Sequence, residues 1–266
     1  MAAVPVSLSA SQLAGVVSSL RAAGCVFAED EAQLLTGAAS SADELATMVG
    51  QRASGLPLEQ VVGWAEFCGL RITVAPGVFV PRRRSEFLVR LAASLATGGR
   101  PVIVDLCCGT GAVGLALAAA SDGAELHAVD IDPAEVACAR QNLAGVGHVY
   151  LGDLYEPLPA SLRGRVTVLI ANAPYVPTDE LRLMPPEARL HEPPVALDGG
   201  RDGVAIQRRI AAGAPGWLAP DGYLLIETSE RQAPLTAAAM TQAGLETRVV
   251  TSDDWSAAAV IGTWPR

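Results

Sequence analysis

From residue 101 to the C-terminus, short unbroken apolar runs alternate with stretches whose apolar residues recur at helical spacing. The runs at 101–106, 125–129, 148–151, 166–171 and 223–227 are too short for helices and are followed by Cys, Asp, Gly, Asn and Thr in turn, so they predict buried strands. A helix is expected over 112–120. Such alternation predicts a mainly parallel sheet with helices on both faces. The last two runs, 247–250 and 257–263, are joined only by 251–256 and predict an antiparallel pair at one edge, completing seven strands.

The first part of the chain is patterned differently. Leu13, Val16, Val17 and Leu20, then Ala32, Leu34 and Leu35, then Leu45, Met48 and Val49 predict three short amphipathic helices, with Ser9 or Ser11 and Ser41 as N-caps and Gly24, Gly37 and Gly50 as punctuation. Runs at 70–74 and 78–80 flank Ala75-Pro76-Gly77 and predict a hairpin. The expected organisation is a helical, substrate-recognising unit over 1–65, a hairpin linker over 66–85 and an α/β catalytic unit over 86–266.

Chemistry concentrates at the ends of the predicted strands. Asn172-Ala173-Pro174-Tyr175 follows the run 166–171. An Asn side-chain oxygen and the carbonyl of the next residue can accept both N–H bonds of a planar NH2 group, while Pro stiffens the turn and Tyr packs on the plane. An ordinary turn after a strand is the alternative. Upstream, Asp105-Leu106-Cys107-Cys108-Gly109-Thr110-Gly111 joins a strand to a helix start, with small residues that let backbone approach a ligand. Asp130-Ile131-Asp132 ends the next strand about 25 residues on, near the spacing at which an acid reaches a ribose. Asp153 and Leu154 end the third, where a carboxylate suits an adenine amino group. Asp105 would repel a diphosphate but suits a cofactor with a cationic amino-acid tail, which favours S-adenosylmethionine over a dinucleotide.

Composition narrows the partners. The chain has 266 residues, half of them hydrophobic and 18% charged, and a net charge of −9; this is the composition of a globular protein without a phosphate-tracking surface. All 19 basic residues are Arg, which excludes lysine Schiff-base chemistry and the P-loop lysine. The five cysteines form no Cys-x-x-Cys pair and, with three histidines, give no zinc spacing, so no metal is expected. Neither a long apolar run nor a basic leader is present, so a cytoplasmic protein is expected.

These motifs together resemble the class I S-adenosylmethionine-dependent methyltransferases of Rossmann-like fold, specifically the HemK/PrmC-type protein N5-glutamine methyltransferases. Glu59 to Gly63, Phe79-Val80-Pro81-Arg82, Glu192-Pro193, Asp198-Gly199-Gly200, Asp202-Gly203 and Ile226-Glu227 with Gln232 add to the likeness. The resemblance implies methylation of a Gly-Gly-Gln glutamine in a peptide-chain release factor. It implies that Asp105 and the loop Cys107, Cys108, Gly109, Thr110 and Gly111 serve the methionine end. Asp130 and Ile131 would serve the ribose, Asp153 and Leu154 would border adenine, and Asn172 to Tyr175 would hold the acceptor amide beside the cofactor. Three departures stand out: Ala173 for Pro, Cys107 for Gly, and the basic Arg82-Arg83-Arg84-Ser85-Glu86. Arg83 and Arg84 read as a solvated helix start, and Glu192 and Glu227 as anchors or caps rather than acid–base groups. A nucleic-acid base, a small amine, or an inactive cofactor-binding module are the competing expectations.

Overall fold

A computed structural model describes residues 8–96 and 99–266. Helices α1 (Ala10–Ala22), α2 (Ala28–Ala38), α3 (Ala42–Ala53) and the short α4 (Leu58–Val62) come first. The Ser9 hydroxyl caps α1 in a reciprocal capping box with Gln12, and Ser41 caps α3. Leu20, Leu35, Leu45 and Met48 bury one another at the centre of the four helices. The short α4 has too few residues to show a period, which is why the sequence pattern misses it.

Strands β1 (Trp64–Phe67) and β2 (Leu70–Thr73) form the hairpin, with Phe67 opposite Leu70. It lies one strand earlier than expected. Cys68 and Gly69 both take positive φ, 51° and 73°, the backbone of a two-residue turn that favours Asn-Gly and here uses Cys-Gly. Residues 78–80 are not a strand: the Phe79 and Val80 N–H groups donate to the Glu135 and Glu192 carboxylates at 2.5 and 3.3 Å, and Val78 donates to the Ala75 carbonyl. Carboxylates from distant positions take the place of a ladder partner.

The remaining elements are α5 (Glu86–Leu95), β3 (Val102–Leu106), α6 (Ala112–Ala119), β4 (Glu125–Asp130), α7 (Pro133–Asn142), β5 (Gly147–Leu151), β6 (Val166–Ala171), α8 (Pro186–His191), α9 (Ala205–Gly213), β7 (Leu218–Thr228), α10 (Ala233–Gln242), β8 (Glu246–Ser252) and β9 (Ala257–Thr263). The sheet order is β5-β4-β3-β6-β7-β9-β8, parallel from β5 through β7 and antiparallel for β9 and β8. This is the Rossmann-like α/β architecture expected. Strand β7 starts five residues before the expected 223, because its register with β6 shifts between Val166 and Val168 and the polar Asp221-Gly222 hides the continuation.

Every residue of β3 is buried, and two apolar layers cover the sheet, one including Leu106, Leu169 and Ile226 and the other Ile103, Leu117 and Ile170. The chain leaves β3 towards β4 on one side and later returns through β6 on the other. Where the connections diverge, the carboxyl ends of β3, β4, β5 and β6 open a crevice, the place where such sheets bind ligands.

Candidate active site

The loop after β3 is shaped by backbone conformation. Cys107, Gly109 and Gly111 have φ of 55°, 53° and 78°, so the chain coils tightly before α6. Cys107 holds a left-handed conformation that Gly adopts without steric cost, which gives a physical reason for Gly at this position in the related pattern. The Gly109 N–H donates to Asp130 Oδ2 at 2.8 Å and the Asp132 N–H to Oδ1 at 2.9 Å, so the end of β4 and the glycine loop are locked through one carboxylate. Asp132 in turn caps α7, accepting from Ala134.

The crevice holds a cavity of about 420 Å³. Cys107, Gly109, Asp130, Ile131, Asp153, Leu154 and the whole Asn172–Tyr175 corner line it together. Asp105, Cys108 and Thr110 line instead a separate void of about 30 Å³, which Cys107, Gly109 and Asn172 also border. Asp105 Oδ2 accepts from the Gly114 N–H at 2.8 Å, tying β3 to the first turn of α6. Gly111 lines neither space: a Cβ there would stand 3.0 Å from Leu143 Cδ1, so its smallness serves packing against the end of α7. Asp153 lines the main cavity, but its Oδ2 already accepts from Arg209 at 2.6 Å.

The corner after β6 is held from behind. Gln232 Nε2 donates to the Tyr175 carbonyl at 2.7 Å and to the Asp202 carbonyl at 3.1 Å. A Cβ on Gly203 would lie 2.1 Å from that amide nitrogen, and one on Gly199 would lie 2.7 Å from the Pro174 carbonyl. The glycines therefore let residues 198–203 press against the corner's backbone. Asn172 Nδ2 donates to Ser85 Oγ at 3.2 Å, and Arg84 Nη2 donates to the Tyr175 hydroxyl at 2.6 Å. Among the described residues, the Ala173 carbonyl has no hydrogen-bond partner within the chain.

Comparison with known proteins bears on this arrangement. Residues 69–184 match the Methyltransferase small domain. Proteins named release factor glutamine methyltransferase from Mycolicibacterium smegmatis and Geobacter sulfurreducens are 39% and 36% identical over 78% and 70% of this chain, which spans 74% and 65% of their lengths. The chain belongs to the release factor glutamine methyltransferase family. A 4-amino-L-phenylalanine/4-methylamino-L-phenylalanine methyltransferase from Streptomyces pristinaespiralis is 36% identical over 69% of the chain, which spans 65% of it. A solved methyltransferase from Pyrococcus furiosus shares the fold, with a TM-score of 0.56 at 16% identity, covering 74% of this chain and 90% of that one.

Arg84 and Arg82, on the basic segment, each meet a buried carboxylate. Arg84 is not merely solvated: besides Tyr175 it meets Glu227, Nε to Oε1 at 3.3 Å. Arg82 places Nη2 2.6 Å from both oxygens of buried Glu192, which also accepts from Val80, so Glu192 anchors the 78–82 strap to the loop ahead of residues 198–203. Burial raises the carboxyls of Glu192 and Glu227, opposed by the neighbouring guanidinium in each case.

Glu135 is the residue that pattern reading passed over. It is 1% exposed, accepts from Phe79 through Oε1, and leaves Oε2 without a partner while lining the cavity. Burial, reinforced by Asp130 and Asp132, pushes its carboxyl up to about 8. It occupies the third position of α7, where an acid ordinarily serves the helix start, so nothing in the local sequence flags it. The methyl donor of this family, S-adenosylmethionine, fits these residues. It would bring hydroxyls and a charged amino group to a space lined by half-buried Asp130 and buried Glu135, acids that take donors, between the apolar side chains of Ile131 and Leu154.

Proposed function

We propose that this protein transfers a methyl group from S-adenosylmethionine to the side-chain amide nitrogen of a glutamine in a peptide-chain release factor. The observation that carries the proposal is the Asn172-Ala173-Pro174-Tyr175 corner, which lines the same cavity as Asp130 and the glycine loop and keeps the Ala173 carbonyl free of partners within the described chain. S-adenosylmethionine supplies, when bound, an electrophilic methyl group on a sulfonium.

An amide nitrogen is a weak nucleophile because its lone pair is delocalised into the carbonyl. Asn172 Oδ1 and the Ala173 carbonyl accept its two N–H bonds, orient the lone pair, and counter positive charge as it grows on nitrogen. Ala173 needs only its backbone for this, so replacing the usual Pro leaves the chemistry intact. Pro174 and Gln232 hold the corner rigid, and Tyr175, fixed by Arg84, covers the planar group. Asp130 with Ile131 takes the ribose, Leu154 borders adenine, and Cys107 and Gly109 line the methionine end. Asp105, Cys108, Thr110 and Gly111 act one layer further back by shaping the loop, and Asp153 contributes as an ion pair with Arg209. No covalent intermediate on the protein is needed.

The helical unit over 1–65 is assigned to substrate recognition. Pro57 and Glu59 line the cavity, and exposed Leu183, Leu190 and Val195 stand on the segment after the corner. No helix among the described residues is long and apolar enough to cross a membrane. The test is to incubate the protein with labelled S-adenosylmethionine and purified release factors of the same organism, then map the label by peptide mass spectrometry. Label on the Gly-Gly-Gln glutamine supports the proposal. Label found only on an arylamine such as 4-amino-L-phenylalanine, or on nucleic acid, contradicts it.

A further inference from the structure

An asparagine amide has two faces of similar shape and opposite polarity, and only one suits the proposed corner: Oδ1 must point at the acceptor nitrogen and Nδ2 away from it. What enforces that choice lies behind Asn172. Its Nδ2 donates to Ser85 Oγ at 3.2 Å. A hydroxyl both donates and accepts, so Ser85 would tolerate either amide face unless its own proton were committed elsewhere.

The surroundings of Ser85 supply that commitment. It stands at the start of α5, where a serine ordinarily caps the helix, yet its side chain makes no capping bond. Both Ser85 and Glu227 are 2% exposed, and Glu227 Oε2 is a buried oxygen with no partner in hydrogen-bond geometry. Arg84, the residue before Ser85, donates to Glu227 Oε1 at 3.3 Å, which brings the carboxyl to this segment and leaves Oε2 as a buried acceptor without a bonded donor. A charge-assisted bond to a carboxylate is stronger than one to a neutral amide oxygen, so a Ser85 proton turned towards the unpartnered Glu227 oxygen would leave the hydroxyl's lone pair for Asn172.

We infer that Ser85 and Glu227 are positioning residues that fix the Asn172 amide with its oxygen towards the cavity. The same carboxylate reaches the other end of the corner through Arg84, which bridges Glu227 and the Tyr175 hydroxyl. One buried acid thus sets both the asparagine and the tyrosine. The inference rests on the reading of the corner as a grip for an amide nitrogen.

The test is a double-mutant cycle on Ser85 and Asn172, assayed with a purified release factor, with affinity for S-adenosylhomocysteine measured in parallel by calorimetry. Ser85→Ala is expected to lower kcat on the order of 10- to 100-fold through loss of orientation. KM and S-adenosylhomocysteine affinity should stay within about threefold, because Ser85 meets neither ligand directly. Ser85→Thr keeps the hydroxyl and should recover most of the turnover, and Ser85→Ala should add nothing in an Asn172→Ala background. Glu227→Gln puts a donor before Ser85, lets the amide turn over, and should mimic Ser85→Ala.

If Asn172→Ala is inactive while Ser85→Ala turns over normally, or if the two losses multiply independently, the orienting relay is wrong and the corner stands. Failure of Ser85→Thr to recover a Ser85→Ala loss also overturns the relay. If Asn172→Ala keeps full turnover, the reading of the corner itself falls, and the relay with it.

Discussion

Arg52 Nη1 lies 2.6 Å from Glu187 Oε1, joining α3 to α8 across 135 residues, while Nε of the same guanidinium meets Glu31 Oε2 on α2 at 2.6 Å. One arginine therefore ties the N-terminal helices together and fastens them to the segment that runs from the Asn172 corner over the cavity. Gln60 runs parallel to it, donating to the Val78 and His191 carbonyls at 2.8 and 3.1 Å.

Arg52→Ala leaves the buried Glu31 carboxylate without its partner and should cost about 3–5 kcal/mol of stability. Glu187→Ala removes a half-exposed partner and should cost about 1 kcal/mol or less. Urea denaturation of the two variants separates these values, and equal small losses would show that the clamp does not carry the helical unit.

Gly203→Ala tests the backing of the corner. Its φ of +75° disfavours a side chain, and the added Cβ would lie 2.1 Å from Gln232 Nε2 and 2.3 Å from the Tyr175 carbonyl, so the corner must move. A displacement near 1 Å costs turnover about 100-fold. Cofactor affinity, measured by calorimetry, should change little, since Gly203 does not line the cavity; a matching loss of both would show that the glycine supports the whole crevice.

Cys107 tests the loop conformation. With φ at 55°, Cys107→Gly should change stability by no more than about 1 kcal/mol, the lost packing and added unfolded-state freedom offsetting the relieved backbone. Cys107→Val forces a β-branched residue into the left-handed region and should cost about 2 kcal/mol or more. Thermal denaturation that ranks the two alike would contradict this account of the loop.

Much of this was legible in the chain because local and global signals agree. The runs at 166–171 and 257–263 match β6 and β9 to the residue, since each is a continuous apolar stretch in the sheet interior. The strand-end positions of the Asn172 corner and Asp130 are legible because each directly follows or ends such a run. Ser85, Glu135, Arg209 and Gln232 act through long-range contacts, and no local period marks a residue whose partner lies dozens of positions away. The hairpin was misplaced for a related reason: Ala75-Pro76-Gly77 looks like a turn and is one, but only distant carboxylates reveal that no strand follows. Arg84 looked solvated because its two partners, Tyr175 and Glu227, are 91 and 143 residues away.

Stability should fall as pH rises from about 5 to 8. In the unfolded chain Asp105 and Glu135 lose their protons near the ordinary 3.8 and 4.5, whereas burial in the fold raises them to about 7 and about 8. Across that window the folded state binds more protons than the unfolded state, so deprotonation favours unfolding. The thermal midpoint of the cofactor-free protein should be higher at pH 5.5 than at 8.5. Glu135→Gln retains an acceptor for the Phe79 N–H but cannot ionise, so it should flatten the dependence; an unchanged slope would show that Glu135 is not among its sources.

The most direct measurement is a crystal structure of the protein with S-adenosylhomocysteine and a release-factor segment containing Gly-Gly-Gln. The glutamine nitrogen is expected about 3 Å from both Asn172 Oδ1 and the Ala173 carbonyl, facing the sulfur across open space. A sulfur that lies away from this corner, or is walled off from it by side chains, would contradict the account.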